Sequence, residues 1–399
     1  MLRGTRPVRQ RFTPLDLSIH DLSIHDLSMH TGEAAPPDYA DAPARVTNDR
    51  AAIRQAVFAM AFALLQGVFA ATVLAADPDS EPTEAETSSP TIETAANAAN
   101  NEVAAQPVTA PKHPIWDAVE HGFAESEGVK IHYAALGEGP LVLFVHGFPD
   151  FWYTWRDQMA GLQANYRVVA IDQRGYNRSD APEAETAYDM NLLVADLSAV
   201  IKHLGYNSAT VVGHDWGGVV AWNFAFAQPD MLDRLIILNL PHPRGTAQAT
   251  AIEPGLLENT QYAQKFRSGS PEDPDIFFGL PMNPSTLAGW VRDAAAKPHY
   301  IQAFQRSSLK AMLNYYKRNY PPPPLPGAPL PETPPVNVPV LMFHGLEDEA
   351  LPAAGLNNTW EWVNADLTIV TVPGAGHFVQ QDASDLVTNT MRWWLTVHP

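Results

Sequence analysis

The chain has 399 residues, with 25 Lys and Arg against 44 Asp and Glu, for a formal net charge of −19. That balance excludes nucleic acid and anionic membrane surfaces as partners, because both select basic patches. The absence of cysteine excludes disulfides, thiolate nucleophiles and Cys-based zinc or iron–sulfur centres. It leaves the compartment open, since a disulfide-free chain can fold in any of them.

In chain order, residues 1–56 contain a pentapeptide written three times, DLSIH-DLSIH-DLSMH, from Asp16 to His30. Histidines five residues apart fall on different faces of a helix and do not converge on a metal. This stretch is therefore expected to be a disordered or non-native extension. Arg45, Arg50 and Arg54 then precede an apolar run, Val57 to Ala76, ending in Leu74-Ala75-Ala76 before Asp77. A basic lead, an apolar stretch and a small-residue end form a signal-peptide pattern, so export to the periplasm or the exterior is expected. The run of about 20 residues also suits a membrane anchor, and a tether through 57–76 is the alternative, with a cytoplasmic protein the third reading. Its distance from Met1 suggests a true start further downstream. Residues 77–111 are rich in Ala, Thr, Glu and Pro and read as a disordered acidic linker, too poor in apolar surface to order itself.

From Trp116 the pattern changes. Short β-rich runs alternate with helical stretches: Val129–Ala134, Leu141–Val145, Arg167–Ile171, Ala209–Val212, Leu235–Leu240, Val340–Phe343 and Leu367–Val372. Near-continuous apolar strands separated by helices predict an α/β fold, a mostly parallel sheet covered on both faces. Chemistry in such sheets sits at the carboxyl ends of the strands. The strand rhythm stops between Pro241 and about Pro335, so the core is expected over 112–240 and 336–399, with a helical cap over 241–335 inserted after the sixth strand.

Directly after the strand Ala209–Val212 comes Gly213-His214-Asp215-Trp216-Gly217, opening a helix over Gly218–Ala227. This resembles the G-x-nucleophile-x-G elbow of the α/β-hydrolases, with Asp215 where serine is usual. The exchange has a chemical consequence. A serine attacking a saturated carbon makes an ether that water does not release. A carboxylate makes an ester, whose carbonyl activated water can attack. Such water needs a base. Gly374-Ala375-Gly376-His377 follows the last strand, and only His398 lies beyond it, so His377 is the candidate. An orienting acid is also required. Asp348, in Gly345-Leu346-Glu347-Asp348 after the strand Val340–Phe343, fits this role, with Glu347 and Glu349 weaker candidates. The order nucleophile, acid, histidine is that of the α/β-hydrolases. His146-Gly147-Phe148-Pro149 follows the strand Leu141–Val145. With the residue after the nucleophile, this loop nominates the backbone N–H groups of Phe148 and Trp216 as oxyanion donors. Asp172-Gln173-Arg174-Gly175-Tyr176, with Ser179 and Pro182, reads as structural.

From Ile115 to Trp394 the chain resembles the epoxide hydrolases of soluble, plant and bacterial type. The likeness rests on Leu141 to Trp155, the DQRGY segment, the GHDWGG elbow and the LNYYK segment. It implies that two cap tyrosines act as proton donors to the epoxide oxygen, Tyr316 by its motif and Tyr262 by position, with Tyr315 the neighbour if the register is off by one. It also implies a cis Phe148–Pro149 bond, a small epoxide and water as the only partners, and no metal or organic cofactor. Some relatives carry the acid after the preceding strand. Here that place is Asn239, which has no charge to offer. Lys317 departs from the arginine that commonly follows the tyrosine and is expected to be peripheral. Haloalkane dehalogenase is the alternative, although Phe148 stands where a halide-holding Asn is common. A non-catalytic binding protein on this fold is a remoter one. Trp152, Phe277, Phe278 and Trp290 are candidates to line an aromatic-walled substrate pocket or simply to pack. Monomer and dimer both remain open.

Overall fold

The computed structural model describes residues 113–322 and 329–399. The expected N-terminal extension, export segment and linker lie outside the described residues. The strands are β1 (Glu120–Ser126), β2 (Val129–Leu136), β3 (Leu141–Val145), β4 (Arg167–Ile171), β5 (Ala209–His214), β6 (Leu232–Leu238), β7 (Val340–Gly345) and β8 (Leu367–Val372). They form a single sheet in the order β1-β2-β4-β3-β5-β6-β7-β8. β1 and β2, and β2 and β4, pair antiparallel, whereas the strands from β3 to β8 pair in parallel. Every residue of β3, β5 and β7 is buried, which is why LVLFV and VLMF read as unbroken apolar runs. Helices α1 (Arg156–Leu162), α2 (Met190–His203) and α3 (Trp216–Ala227), with a C-terminal helix over Ser384–Val397, cover the sheet.

Strand β1 is an addition to the sequence expectation. Its sequence EHGFAES buries only Ala124 and Ser126. An edge strand has a neighbour on one side and water on much of its surface, so it carries little hydrophobic signal. β6 begins earlier than expected, at Leu232, and ends earlier, at Leu238, where Asn239 turns left-handed (φ +46°) and breaks the extended run. β5 runs on to His214, and α3 begins at Trp216 rather than Gly218.

β3 lies between β4 and β5, so the connections leaving its end and that of β5 part to opposite sides. This is the switch point where open α/β sheets form a crevice. Between β6 and β7 the chain leaves the sheet and builds α4 (Pro243–Ile252), α5 (Gln261–Ser268), α6 (Pro284–Leu287), α7 (Lys297–Arg306) and α8 (Leu309–Asn319). α8 starts on a Ser308 cap, whose side chain accepts from Ala311 N–H at 3.2 Å.

The DQRGY segment is the seat of α8. Ser308 N–H donates to Gly175 O (2.9 Å), and the Tyr315 hydroxyl donates to Arg174 O (2.9 Å). A side chain on Gly175 would meet Ala311 Cβ at 2.5 Å, and its φ of +87° also favours glycine. Arg174 itself is buried and forks onto Asp196, Nε to Oδ2 at 2.7 Å and Nη2 to Oδ1 at 2.5 Å. The segment thus acts through structure, by holding the helix that carries Tyr316. Lys317 pairs with Glu185 at 3.7 Å, away from the nucleophile.

Candidate active site

The elbow turns within one residue. Asp215 has φ +50° and ψ −120°, a left-handed conformation that costs an L-residue about 1–3 kcal/mol and persists only where its surroundings impose it. Close packing imposes it here. A Cβ on Gly213 would lie 2.4 Å from Gly217 O, and one on Gly217 would lie 2.1 Å from Val145 O. The glycines two residues either side let β5 and α3 approach β3 and lift the carboxylate above the sheet.

Phe148 N–H donates to Asp215 Oδ1 at 2.7 Å, and His377 Nε2 stands 3.5 Å from Oδ2. One oxygen is therefore held by the expected oxyanion donor, and the other faces the histidine. Trp216, the second expected donor, is the first residue of α3, where main-chain N–H groups have no partner within the helix. The Phe148–Pro149 bond is cis. His146 braces this loop. Its Nδ1–H donates to Gly147 O (2.8 Å), and its Nε2 accepts from Gln173 N–H (3.1 Å).

His377 Nδ1–H donates to Asp348 Oδ2 at 2.9 Å. Asp348 Oδ1 accepts from the main-chain N–H of Ala350 (2.9 Å) and Leu351 (3.0 Å). Burial alone would raise the Asp348 carboxyl, but the charge and hydrogen bond of His377 and these N–H donors bring it down to about 2. Burial alone would lower His377, but the carboxylates of Asp348 and Asp215 raise it to about 10. Asp215 falls below the usual carboxylate range because His377 and Phe148 outweigh its burial. The resting site is thus an imidazolium between two carboxylates.

Sequence reasoning passed over Asn239 because it carries no charge. In the structure Asn239 is fully buried, and its Nδ2 donates to Asp348 Oδ2 (2.7 Å) and to Gly376 O (3.2 Å). It completes the shell of the acid and ties it to the loop bearing His377. Its place at the end of β6, beside the end of β7, was the available signal. Asn239→Ala is expected to lower kcat about 10- to 100-fold with KM little changed, since a hydrogen bond to a charged group contributes about 1.5–3 kcal/mol. Steady-state kinetics checks this, and an unchanged kcat would reduce Asn239 to filler. Asp150 was also passed over. It is fully buried, accepts from Phe151 N–H at 2.8 Å, and is pushed up to about 8 by burial.

Tyr316 is buried over the nucleophile side of the cap. Its ring meets Phe148 at 5.5 Å, Trp216 at 4.9 Å and Phe266 at 5.1 Å. Tyr262 packs on Phe266 at 5.5 Å and Phe278 at 5.2 Å. Both phenols are raised well above their ordinary pKa, first by burial and also by the negative charge of Asp215. Both are therefore protonated donors within electrostatic reach of the nucleophile. Tyr315, one residue away, spends its hydroxyl on Arg174 O, so the register favours Tyr316.

Of the aromatic candidates, Trp152 is fully buried among Trp116, His121, Phe151 and Tyr153, and its main-chain N–H donates to Asp172 Oδ1 at 3.0 Å. Phe277 meets Phe148 at 6.1 Å, and Trp290 stacks on Phe378, the residue after His377, at 3.5 Å. Among the described residues no group of three or more His, Asp or Glu is arranged to hold a metal, and no helix is long and apolar enough to cross a membrane.

A carboxylate elbow, an ordered acid–histidine pair and a helical cap on a parallel sheet define a class, and comparison with known proteins identifies it. The model of the alpha/beta hydrolase family matches residues 142–390. Epoxide hydrolase 3 of Xenopus tropicalis is 33% identical over 293 residues, covering 69% of this chain and 78% of that protein. A crystal structure of a variant epoxide hydrolase from Bacillus megaterium superimposes with a TM-score of 0.60 at 30% identity, covering 69% of this chain and 100% of that one. A second variant of that enzyme, solved with its naphthyloxy propanediol product, has a TM-score of 0.61 at 28% identity over 69% of this chain and 100% of that one. The chain belongs to the α/β-hydrolase family and, within it, to the epoxide hydrolases.

Proposed function

We propose that this protein hydrolyses an epoxide to a vicinal diol through a covalent ester on Asp215. The observation that carries this reading is the asymmetric hold on the Asp215 carboxylate. Oδ1 is held by Phe148 N–H, and Oδ2 faces His377 beneath two protonated cap phenols. The epoxide hydrolases among its relatives support the same reaction.

In the first step Oδ2 attacks an epoxide carbon from the back. The carbon–oxygen bond of the ring breaks, and the leaving oxygen takes a proton from Tyr316 or Tyr262. An alkoxide is far too basic to leave unaided, which is the reason for a phenol donor. In the second step water attacks the ester carbonyl and gives its proton to His377. The tetrahedral oxygen is held by the N–H groups of Phe148 and Trp216. Collapse expels the diol oxygen, which takes its proton from His377, and the second proton of the attacking water, left on the Asp215 carboxyl, makes good the one the phenol gave up. No step calls for a metal or an organic cofactor.

Ester formation also turns His377 into a base. While Asp215 is charged, both carboxylates keep the imidazole protonated. Alkylation removes one of those charges, so the imidazole pKa falls, the imidazolium releases its proton, and the neutral ring can accept the proton of water.

A single turnover in oxygen-18 water tests the route. The label is expected on the Asp215 carboxylate and not in the first diol released, because water attacks the acyl carbon and the diol leaves with an aspartate oxygen. Label in the first diol would mean direct attack of water on the epoxide and would overturn the ester.

A further inference from the structure

His377 ends a loop with little stiffness of its own. Gly374 and Gly376 stand before it, and glycine constrains the backbone least. The hydrogen bond from Nδ1–H to Asp348 sets the direction of the ring, but the chain on either side sets the point from which the ring hangs. The core holds part of that chain. Asn239 Nδ2 donates to Gly376 O (3.2 Å), and His214 Nε2–H donates to His377 O (2.7 Å). The residues that flank His377 have a second set of partners, and these come from the cap.

Residues 290–293, between α6 and α7, make three straps onto the turn that follows His377. The Trp290 indole lies flat on Phe378, with ring centroids 3.5 Å apart and 3° between the planes. Phe378 in turn meets the His377 ring at 5.1 Å. Arg292 Nη1 reaches Asp382 Oδ1 at 3.3 Å, while Asp382 Oδ2 accepts from Gly376 N–H at 2.9 Å. Arg156 of α1 joins Asp293 (3.2 Å) to Gln381 (3.3 Å). The Gln381 amide also donates to the Tyr300 hydroxyl on α7 (3.0 Å), and the Tyr300 ring packs edge-on against Trp290 at 5.3 Å. The residue before His377 and the residue after it are thus both tied to one short stretch of the cap.

Resting on the ester route through Asp215 and His377, we propose that Trp290 and Arg292 are positioning residues for His377, acting through Phe378 and Asp382. The cap then serves both steps. Its phenols assist ring opening, and residues 290–293 set the histidine for hydrolysis of the ester. Trp290 is the stronger strap, because its half-buried stack is lost whole when the indole is removed. Arg292 is 80% exposed, and water and salt screen a pair of that kind. Position matters here because a shift of about 1 Å in a catalytic group costs about 10²-fold in rate. The proton acceptor is needed only in the second step, so a loosened strap slows that step alone.

Rapid quench with intact-mass detection, with styrene oxide and propylene oxide as probes, reads ester formation and ester hydrolysis separately. Trp290→Leu is expected to form the ester within about threefold of the wild-type rate and to hydrolyse it about 10- to 100-fold more slowly, so that the ester accumulates. Trp290→Phe keeps an aromatic face on Phe378 and is expected to restore hydrolysis to within about threefold of wild type. Arg292→Ala changes an exposed side chain and spares the fold, and it is expected to slow hydrolysis about two- to fivefold with ester formation unchanged. Hydrolysis at the wild-type rate in Trp290→Leu overturns the proposal. Equal slowing of both steps does so too, because it makes the stack a support of the cap fold alone, as does a failure of Trp290→Phe to restore hydrolysis. Each of these results leaves the ester route standing. Wild-type protein that forms no ester from either probe overturns that route along with the inference.

Discussion

His377→Gln is expected to stop the cycle at the ester, so that intact protein gains one substrate mass while steady-state turnover falls by about 10⁴-fold or more. Glutamine retains an amide that can donate to Asp348, so the loop geometry survives while the proton acceptor is lost. Alkylation uses only Asp215, its N–H support and the cap phenols, and so continues. The adduct should digest to a single modified peptide containing Asp215. Turnover within about tenfold of wild type would remove His377 from the chemistry, and turnover loss without an adduct would remove the ester. The same electrostatics predicts a pH signature. His377 is raised to about 10 in the free protein by Asp348 and Asp215, and the Asp215 contribution is absent in the ester. The hydrolytic step should therefore switch on with rising pH through an apparent pKa below that of the free imidazole. Rapid-quench hydrolysis of the ester across pH, set beside NMR titration of free His377, measures the difference. Equal values would mean that Asp215 does not govern the histidine.

Tyr316→Phe is expected to slow alkylation about 10²-fold, and Tyr316→Phe with Tyr262→Phe about 10⁴-fold, the usual range for losing positioned proton donors. Tyr316 is fully buried and packed edge-to-face on Phe148 and Trp216. Removal of its hydroxyl therefore keeps the packing and deletes only the donor. Single-turnover quenching of tryptophan fluorescence is a suitable readout, since Trp216 adjoins both the nucleophile and the Tyr316 ring. The effect should fall on the alkylation rate and leave ester hydrolysis nearly unchanged, because the phenols act on the leaving oxygen in the first step. Equal slowing of both steps would point to a distorted cap rather than a lost donor. If Tyr262→Phe alone has no effect, Tyr316 is the sole donor and Tyr262 is part of the wall.

Much of the chemistry is legible in the amino-acid sequence because it is written in short contiguous segments. The elbow needs small residues on both sides of its nucleophile, so Gly213 and Gly217 mark Asp215. Buried parallel strands are apolar along their whole length, so their ends, and the motifs at those ends, can be located. The resemblance in the LNYYK segment points to Tyr316. The edge strand β1 is not legible, because a strand with one wet face and one neighbour is largely polar. The setting of Trp152 is not legible either, because an aromatic residue near the loop after β3 carries no local mark of what its ring packs against.

By itself, the sequence determined a mostly parallel α/β sheet, an elbow with a carboxylate where serine is usual, and the chain order of Asp215, Asp348 and His377. Each of these depends on local backbone geometry or on the period of burial, which neighbouring residues record. Only the tertiary structure decided that Asn239 supports Asp348, that the DQRGY segment seats α8 and so places Tyr315 and Tyr316, and that Phe278 combines a positive φ with an exposed ring. Asn239 and Asp348 are 109 residues apart in the chain and meet because β6 and β7 are neighbours in the sheet. Strand order is a property of how the whole chain closes on its core, and no local pattern of residues encodes it.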